Sequence, residues 1–173
     1  RALDLSEANV LLLAQQSDVV FGELSESFFS GSELPESNRR LLETWMQFDG
    51  QFLIQNAANQ SLKLERAAAH QRVGHALFLL GESGQAVGEF RQAVTLLEEL
   101  SRDHPKITRY GLETAGAYGR LGAALKAAGQ PAEAAGAYRE ALRLLNDPRL
   151  PPDPERERSA AELNRQLSPA ANE

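Results

Sequence analysis

The sequence predicts an all-α protein, an α–α superhelix of antiparallel helix hairpins with flanking N-terminal helices and a C-terminal capping helix. Two observations carry this expectation. Ala69–Leu97 realigns without a gap on Ala117–Leu145, 48 residues further along the chain. Self-similarity at a fixed period marks stacked units, none of which can bury its apolar face alone. Aromatic residues are also few, at 6%, while alanine crowds the repeated blocks. That balance suits closely packed helices better than a β-sandwich, whose strands favour β-branched and aromatic side chains.

Along the chain, Leu5, Ala8, Leu12, Val19, Leu24 and Phe28 recur at three-to-four spacing and predict a helix over residues 3–29. Ser30–Glu33 breaks it, and Pro35 suits the first position of a second helix reaching about Gln55. Leu41, Leu42, Trp45, Met46, Phe48, Phe52 and Leu53 give that helix a wide apolar stripe. Four helices in two hairpins follow, near 61–80, 83–103, 107–128 and 131–146. Gly81 and Gly129 fall just past the first member of each pair, where a left-handed cap wants glycine. Pro131 opens the next helix, and Pro105 and Pro148 stop the second members. The proline-rich segment after Asp147 reads as an extended linker. Asp153, Pro154 and Glu155 then start a short, weakly apolar helix to about Leu167. The expected division is 1–58 as an N-terminal helical pair packing on the repeats, 59–146 as two long hairpins, and 147–173 as linker and capping helix.

Within the repeat, Leu77, Gly81, Ala86, Phe90, Ala93 and Val94 follow Gly74 at the offsets at which Leu125, Gly129, Ala134, Tyr138, Ala141 and Leu142 follow Gly122. Gly74 and Ala86, like Gly122 and Ala134, are expected to face each other across their hairpin and let the helices approach. Phe90 and Tyr138 are the large knobs expected to fill the space between units. Enlarging Gly74 or Ala86 should cost about 1–3 kcal/mol by overpacking. Gly88 and Gly136 lie mid-helix, where glycine costs about 1 kcal/mol against alanine. A close approach of a neighbouring backbone would account for both.

The pattern V/L-G-x-x-L-x-x-x-G-x-x-x-x-A-x-x-x-F/Y-x-x-A-V/L, carried by Val73–Val94 and Leu121–Leu142, resembles the tetratricopeptide repeat (TPR). Two departures are the longer period and His70 or Tyr118 where that family has tryptophan. The wider arrangement, with SEANVLLLAQQ, RRLLETWMQF and FRQAVTLLEELSRDHP, is similar to the region beyond the membrane span in large bacterial, eukaryotic-like serine/threonine protein kinases. This resemblance implies a regulatory or sensor portion of such a protein and not its catalyst, since no glycine-rich phosphate loop, HRD loop or DFG site is present. It also implies a concave groove lined by the first helix of each hairpin. That places Gln71, His75, Phe78 and Leu79 in one unit and Gly119, Ala123, Lys126 and Ala127 in the next. Of the basic and amide residues of a two-carboxylate clamp, only Lys126 is present. The all-round apolar run Leu77–Leu80 suggests that the N-terminal helices pack over Phe78 and close part of the groove; an exposed apolar ligand site is the rival.

The remaining chemistry is sparse. With no cysteine, disulfides, thiolate metal sites and cysteine nucleophiles are excluded. His70 and His75 lie on different faces of one helix with no carboxylate at ligand spacing, so no metal site, cofactor or catalytic residue is expected. The net charge of −6 concentrates in residues 1–66, with 10 acidic against 5 basic side chains, and no basic stripe appears. No nucleic-acid partner is therefore expected. Apolar runs are too short to insert in a membrane. The compartment is undetermined, and the start at Arg1 in place of Met suggests a segment of something longer, which a membrane could anchor. The sequence thus predicts a non-catalytic protein–protein interaction scaffold that takes a protein or peptide. A structural, self-associating segment, such as a homodimer, is the alternative.

Overall fold

A computed structural model describes residues 36–168 of the chain; the helix expected over 3–29 lies outside the described residues. Six α-helices follow one another, and no strand occurs among the described residues. They are α1 (Glu36–Gln55), α2 (Lys63–Leu79), α3 (Ser83–Asp103), α4 (Thr108–Ala127), α5 (Pro131–Leu145) and α6 (Pro154–Leu167), with a short 3-10 turn at Gln60–Leu62 before α2. Each helix packs chiefly on its neighbours in the chain, so the molecule is the expected all-α stack of antiparallel hairpins. The predicted ends agree with these helices to within two residues.

Local chemistry explains the breaks. Gly81 and Gly129 adopt φ of +84° and +76°, the left-handed region that side chains with a Cβ rarely enter. At the first break the Gly81 N–H donates to the Phe78 carbonyl at 3.0 Å and the Glu82 N–H to Leu77 at 2.8 Å. At the second, Gly129 donates to Lys126 at 3.1 Å and Gln130 to Leu125 at 2.8 Å. Both are Schellman caps, which satisfy carbonyls left over at a helix end. Pro131 and Pro154 open α5 and α6, and the Asp153 carboxylate accepts the Glu155 N–H at 2.9 Å.

The main core runs through both hairpins, with Val73, Leu77, Phe90, Leu97, Leu121, Leu125 and Tyr138 buried together. The glycines that recur at the repeat spacing sit against aromatic rings. A Cβ on Gly74 would come within 3.1 Å of the Phe90 ring and 3.2 Å of Glu89 Cβ; on Gly122 it would lie 2.5 Å from the Tyr138 ring. Each glycine therefore makes room for the aromatic knob of its own hairpin. The close approach expected at Gly88 and Gly136 is absent among the described residues: a Cβ at either would meet none of their atoms within 4 Å.

The structure also places α1 in the repeat. It stands one 48-residue period before α3, and the triads Leu42/Phe90/Tyr138 and Asp49/Leu97/Leu145 are all buried. Thus α1 acts as the second helix of a preceding unit. Its stripe covers α2 through Leu42 on Ala76, beside Trp45, Leu79 and Leu80, and through Phe52 on Ala69.

Candidate functional site

The first members of the hairpins, α2 and α4, together with α6, supply one face of the stack. On α2, Gln71 Oε1 accepts a hydrogen bond from the Arg120 guanidinium of α4 at 2.5 Å, so these two helices are tied directly. His75 is one turn further along α2. Burial, helped by the charge of Arg120, pushes its pKa down to about 4, which leaves a neutral imidazole at neutral pH. Phe78 is half-buried against the main core. Leu79, expected in the groove, instead packs in the seam with α1, because α1 covers the face that runs through Ala69, Arg72, Ala76 and Leu79. Phe78 stands at the edge of that face.

Gly119, Ala123 and Lys126 lie close together on α4. They line a cleft of about 510 Å³ between α4 and α6, floored by Tyr138 of α5. Lys126 Nζ donates to Gln166 Oε1 at 2.9 Å, and a Cβ on Gly119 would lie 3.7 Å from Leu163, so α6 forms the opposite wall. A second cleft of about 670 Å³ continues along the same seam from Gly119 past Gly116 and Ala115 to Leu112. The phenol of Tyr138 is raised by burial and by Glu162, and that of Tyr118 by burial and its 2.6 Å bond to Glu98. Both phenols stay protonated at neutral pH.

An ion pair that the sequence reading missed sits in the seam between α1 and α2. Arg72 is 6% exposed and grips Asp49 of α1 with a two-pronged contact, Nε to Oδ2 at 2.9 Å and Nη2 to Oδ1 at 2.7 Å. The signal was available. Asp49 falls at the buried spacing among Leu42, Trp45, Met46 and Phe52, and Arg72 falls between Ala69 and Ala76. A charge inside an apolar stripe calls for a partner. His70, at the position of the family's tryptophan, is held by Glu89 of its own hairpin at 2.7 Å.

The fold and its grooved face define the class: a stack of helical repeats of the TPR kind. A family model described as the bacterial transcriptional activator domain matches residues 30–164, and the chain belongs to that family. No curated protein and no solved structure gives a significant match. The family is an activator-type, non-catalytic domain and stands where a kinase-associated region was expected. It overturns the expectation of no nucleic-acid partner, because transcriptional activators bind DNA. Net charge misled here because it sums the whole surface and says nothing of the family to which the chain belongs. No helix among the described residues is long and apolar enough to cross a membrane.

Proposed function

We propose that this domain is the protein-interaction module of a transcriptional activator and that it receives its partner on the face formed by α2, α4 and α6. The observation that supports this reading best is the convergence of Gly119, Ala123 and Lys126 on one open cleft beside the Gln71–Arg120 bridge. Helical stacks offer such surfaces to peptides and helices, shape supplying area and a few polar groups supplying orientation. The finer assignment, to a chain that also carries a kinase, rests on the sequence resemblance alone; the family favours a parent that acts in transcription.

The test uses the full chain as bait, with crosslinking and mass spectrometry to identify what it captures. Wild-type protein should retain a specific protein that is lost when Ala123→Glu and Lys126→Glu are introduced together. Capture that is unchanged by these substitutions and by Gln71→Glu would remove this face from the function.

A further inference from the structure

The second helix of each hairpin has two flanks. On α3, Glu89 meets His70 of α2 at 2.7 Å, and Glu99 and Asp103 meet Lys63 of α2 at 2.9 and 3.6 Å. The other flank turns to the next hairpin: the Tyr118 hydroxyl of α4 donates to Glu98, and Ser101 bonds Thr114 of α4. The same division holds on α1, one period earlier. Met46 and Leu53, the counterparts of Val94 and Ser101, pack against the main core. The flank that would meet a first helix of its own unit carries Leu41, Trp45 and Phe48, spaced as one stripe. There α3 buries Leu96 to 8% exposure, whereas its counterpart Phe48 is 41% exposed, and Leu41 and Trp45 are half-buried. Among the described residues α1 packs chiefly on α2, while α3 and α5 each pack between two helices.

The sequence ahead of α1 holds a match for this flank. Phe21-x-x-Leu24-Ser25-x-x-Phe28 repeats the spacing of His70-x-x-Val73-Gly74-x-x-Leu77 in α2 and of Tyr118-x-x-Leu121-Gly122-x-x-Leu125 in α4. The offset from α2 is 49 in place of 48, so the connection to α1 is longer by one residue. Pro35 stands two 48-residue periods ahead of Pro131, which opens α5. Socket and knob also change together. Glycine faces the rings of Phe90 and Tyr138 in the later units, whereas here Ser25, one hydroxymethyl larger, would face Leu42, which is smaller than either ring. Such an exchange keeps the volume across the contact. It also brings the stack to three units, the number that such arrays usually need.

We propose that residues 14–30 form the first helix of the unit to which α1 belongs and dock on α1 along Leu41, Trp45 and Phe48. Phe21, Leu24 and Phe28 supply the apolar stripe, and Ser25 sits beside Leu41 and Leu42. The stack then has three complete hairpins capped by α6, and the face made by the first helices is one helix longer than α2, α4 and α6 alone.

Because the chain has no cysteine of its own, disulfide crosslinking in the full chain tests the register. A Cβ on Gly74 would lie 3.2 Å from Glu89 Cβ, close to the roughly 3.5–4.5 Å that a disulfide spans, and Ser25 and Leu41 are the counterparts of that pair. Under mild oxidation, Ser25→Cys with Leu41→Cys should close a disulfide within one chain at least about tenfold faster than Ser27→Cys with Leu41→Cys, since position 27 lies about 200° further round the helix. Trp45, the single tryptophan, gives a second reading that needs no cysteine. Phe21→Asp with Phe28→Asp should increase acrylamide quenching of its fluorescence and shift its emission to the red, while unfolding of the remaining helices stays cooperative. Equal rates for the two cysteine pairs, no disulfide in the first pair, or a disulfide that joins two chains overturns the inference. Quenching left unchanged by the two aspartates overturns it as well.

Discussion

The hairpins α2–α3 and α4–α5 share a motif yet treat the same residue in opposite ways. An arginine stands two positions before the packing glycine in both, Arg72 before Gly74 and Arg120 before Gly122. Arg72 is buried against Asp49, whereas Arg120 is exposed and turns to Gln71 on the grooved face. The difference comes from the helix that precedes each unit. Where α1 carries Asp49, α3 one period later carries Leu97, which is fully buried in the apolar core. The attachment of α1 is therefore locked by charge, and the equivalent seam between the hairpins is sealed by hydrocarbon. The next polar position diverges as well: His70 bonds Glu89 within its hairpin, while Tyr118 reaches back to Glu98 of the preceding one.

The largest way to break this asymmetry is to remove one member of the buried pair. Asp49→Leu should destabilise by about 3–5 kcal/mol, because Arg72 is left charged in a dry seam. Asp49→Leu with Arg72→Met imitates the hydrocarbon seam and should recover most of that loss. Denaturant titrations of the four proteins in the cycle measure it, and strict additivity of the two changes would sink the charge-lock account.

A pH titration addresses the grooved side of the first unit. The His75 pKa lies near 4 in the folded chain against 6.5 for the free side chain. Between these values the unfolded state binds more protons, so stability rises with pH in this window. It is fully present above about pH 6.5 and is lost as pH falls through 4, by at most about 3 kcal/mol. His75→Gln should flatten the difference in urea midpoint between pH 7 and pH 4 relative to wild type; parallel curves would show that the ring is not what titrates.

The same substitution in the two units sharpens the comparison further. Gly122→Ala should cost about 1–3 kcal/mol, since its methyl would press into the Tyr138 ring, and Gly74→Ala should cost less because the Phe90 ring stands further off. Melting temperatures of the pair decide it, and a larger loss at Gly74 would contradict the packing described. The smallest effect is a gain. Gly88→Ala and Gly136→Ala face open space and should each stabilise by about 0.5–1 kcal/mol, to equal extents in the two units. A loss at either, read as a lower melting temperature, would mean that the glycine serves a neighbour after all.

The legible part of the candidate site was the part fixed by repeat register. Gly119, Ala123 and Lys126 lie one face apart on α4 and meet the same cleft. Leu79 was misplaced because its neighbour α1 lies 48 residues upstream of α3 in a degenerate copy of the unit, in which Leu42 and Asp49 replace Phe90 and Leu97. Such a copy keeps the burial pattern while losing the letters, so alignment of residues does not find it. The partner class misread from charge had a different origin, since a summed charge balance does not reveal which family a chain belongs to.

By itself, the sequence determined the helices of the described residues, their ends and the two-fold repetition. Periodicity, Gly81, Gly129, Pro131 and the Asp153–Pro154 start act through backbone geometry within a few residues, and such effects need no distant neighbour. Only the tertiary structure decided which atoms those helices bring together. Gly74 serves Phe90, Gly88 serves no neighbour among the described residues, Asp49 holds Arg72, and α6 stands off from α4 enough to leave a cleft. Those outcomes depend on the rotation and separation of whole helices, which the summed packing of many side chains sets and no single spacing encodes.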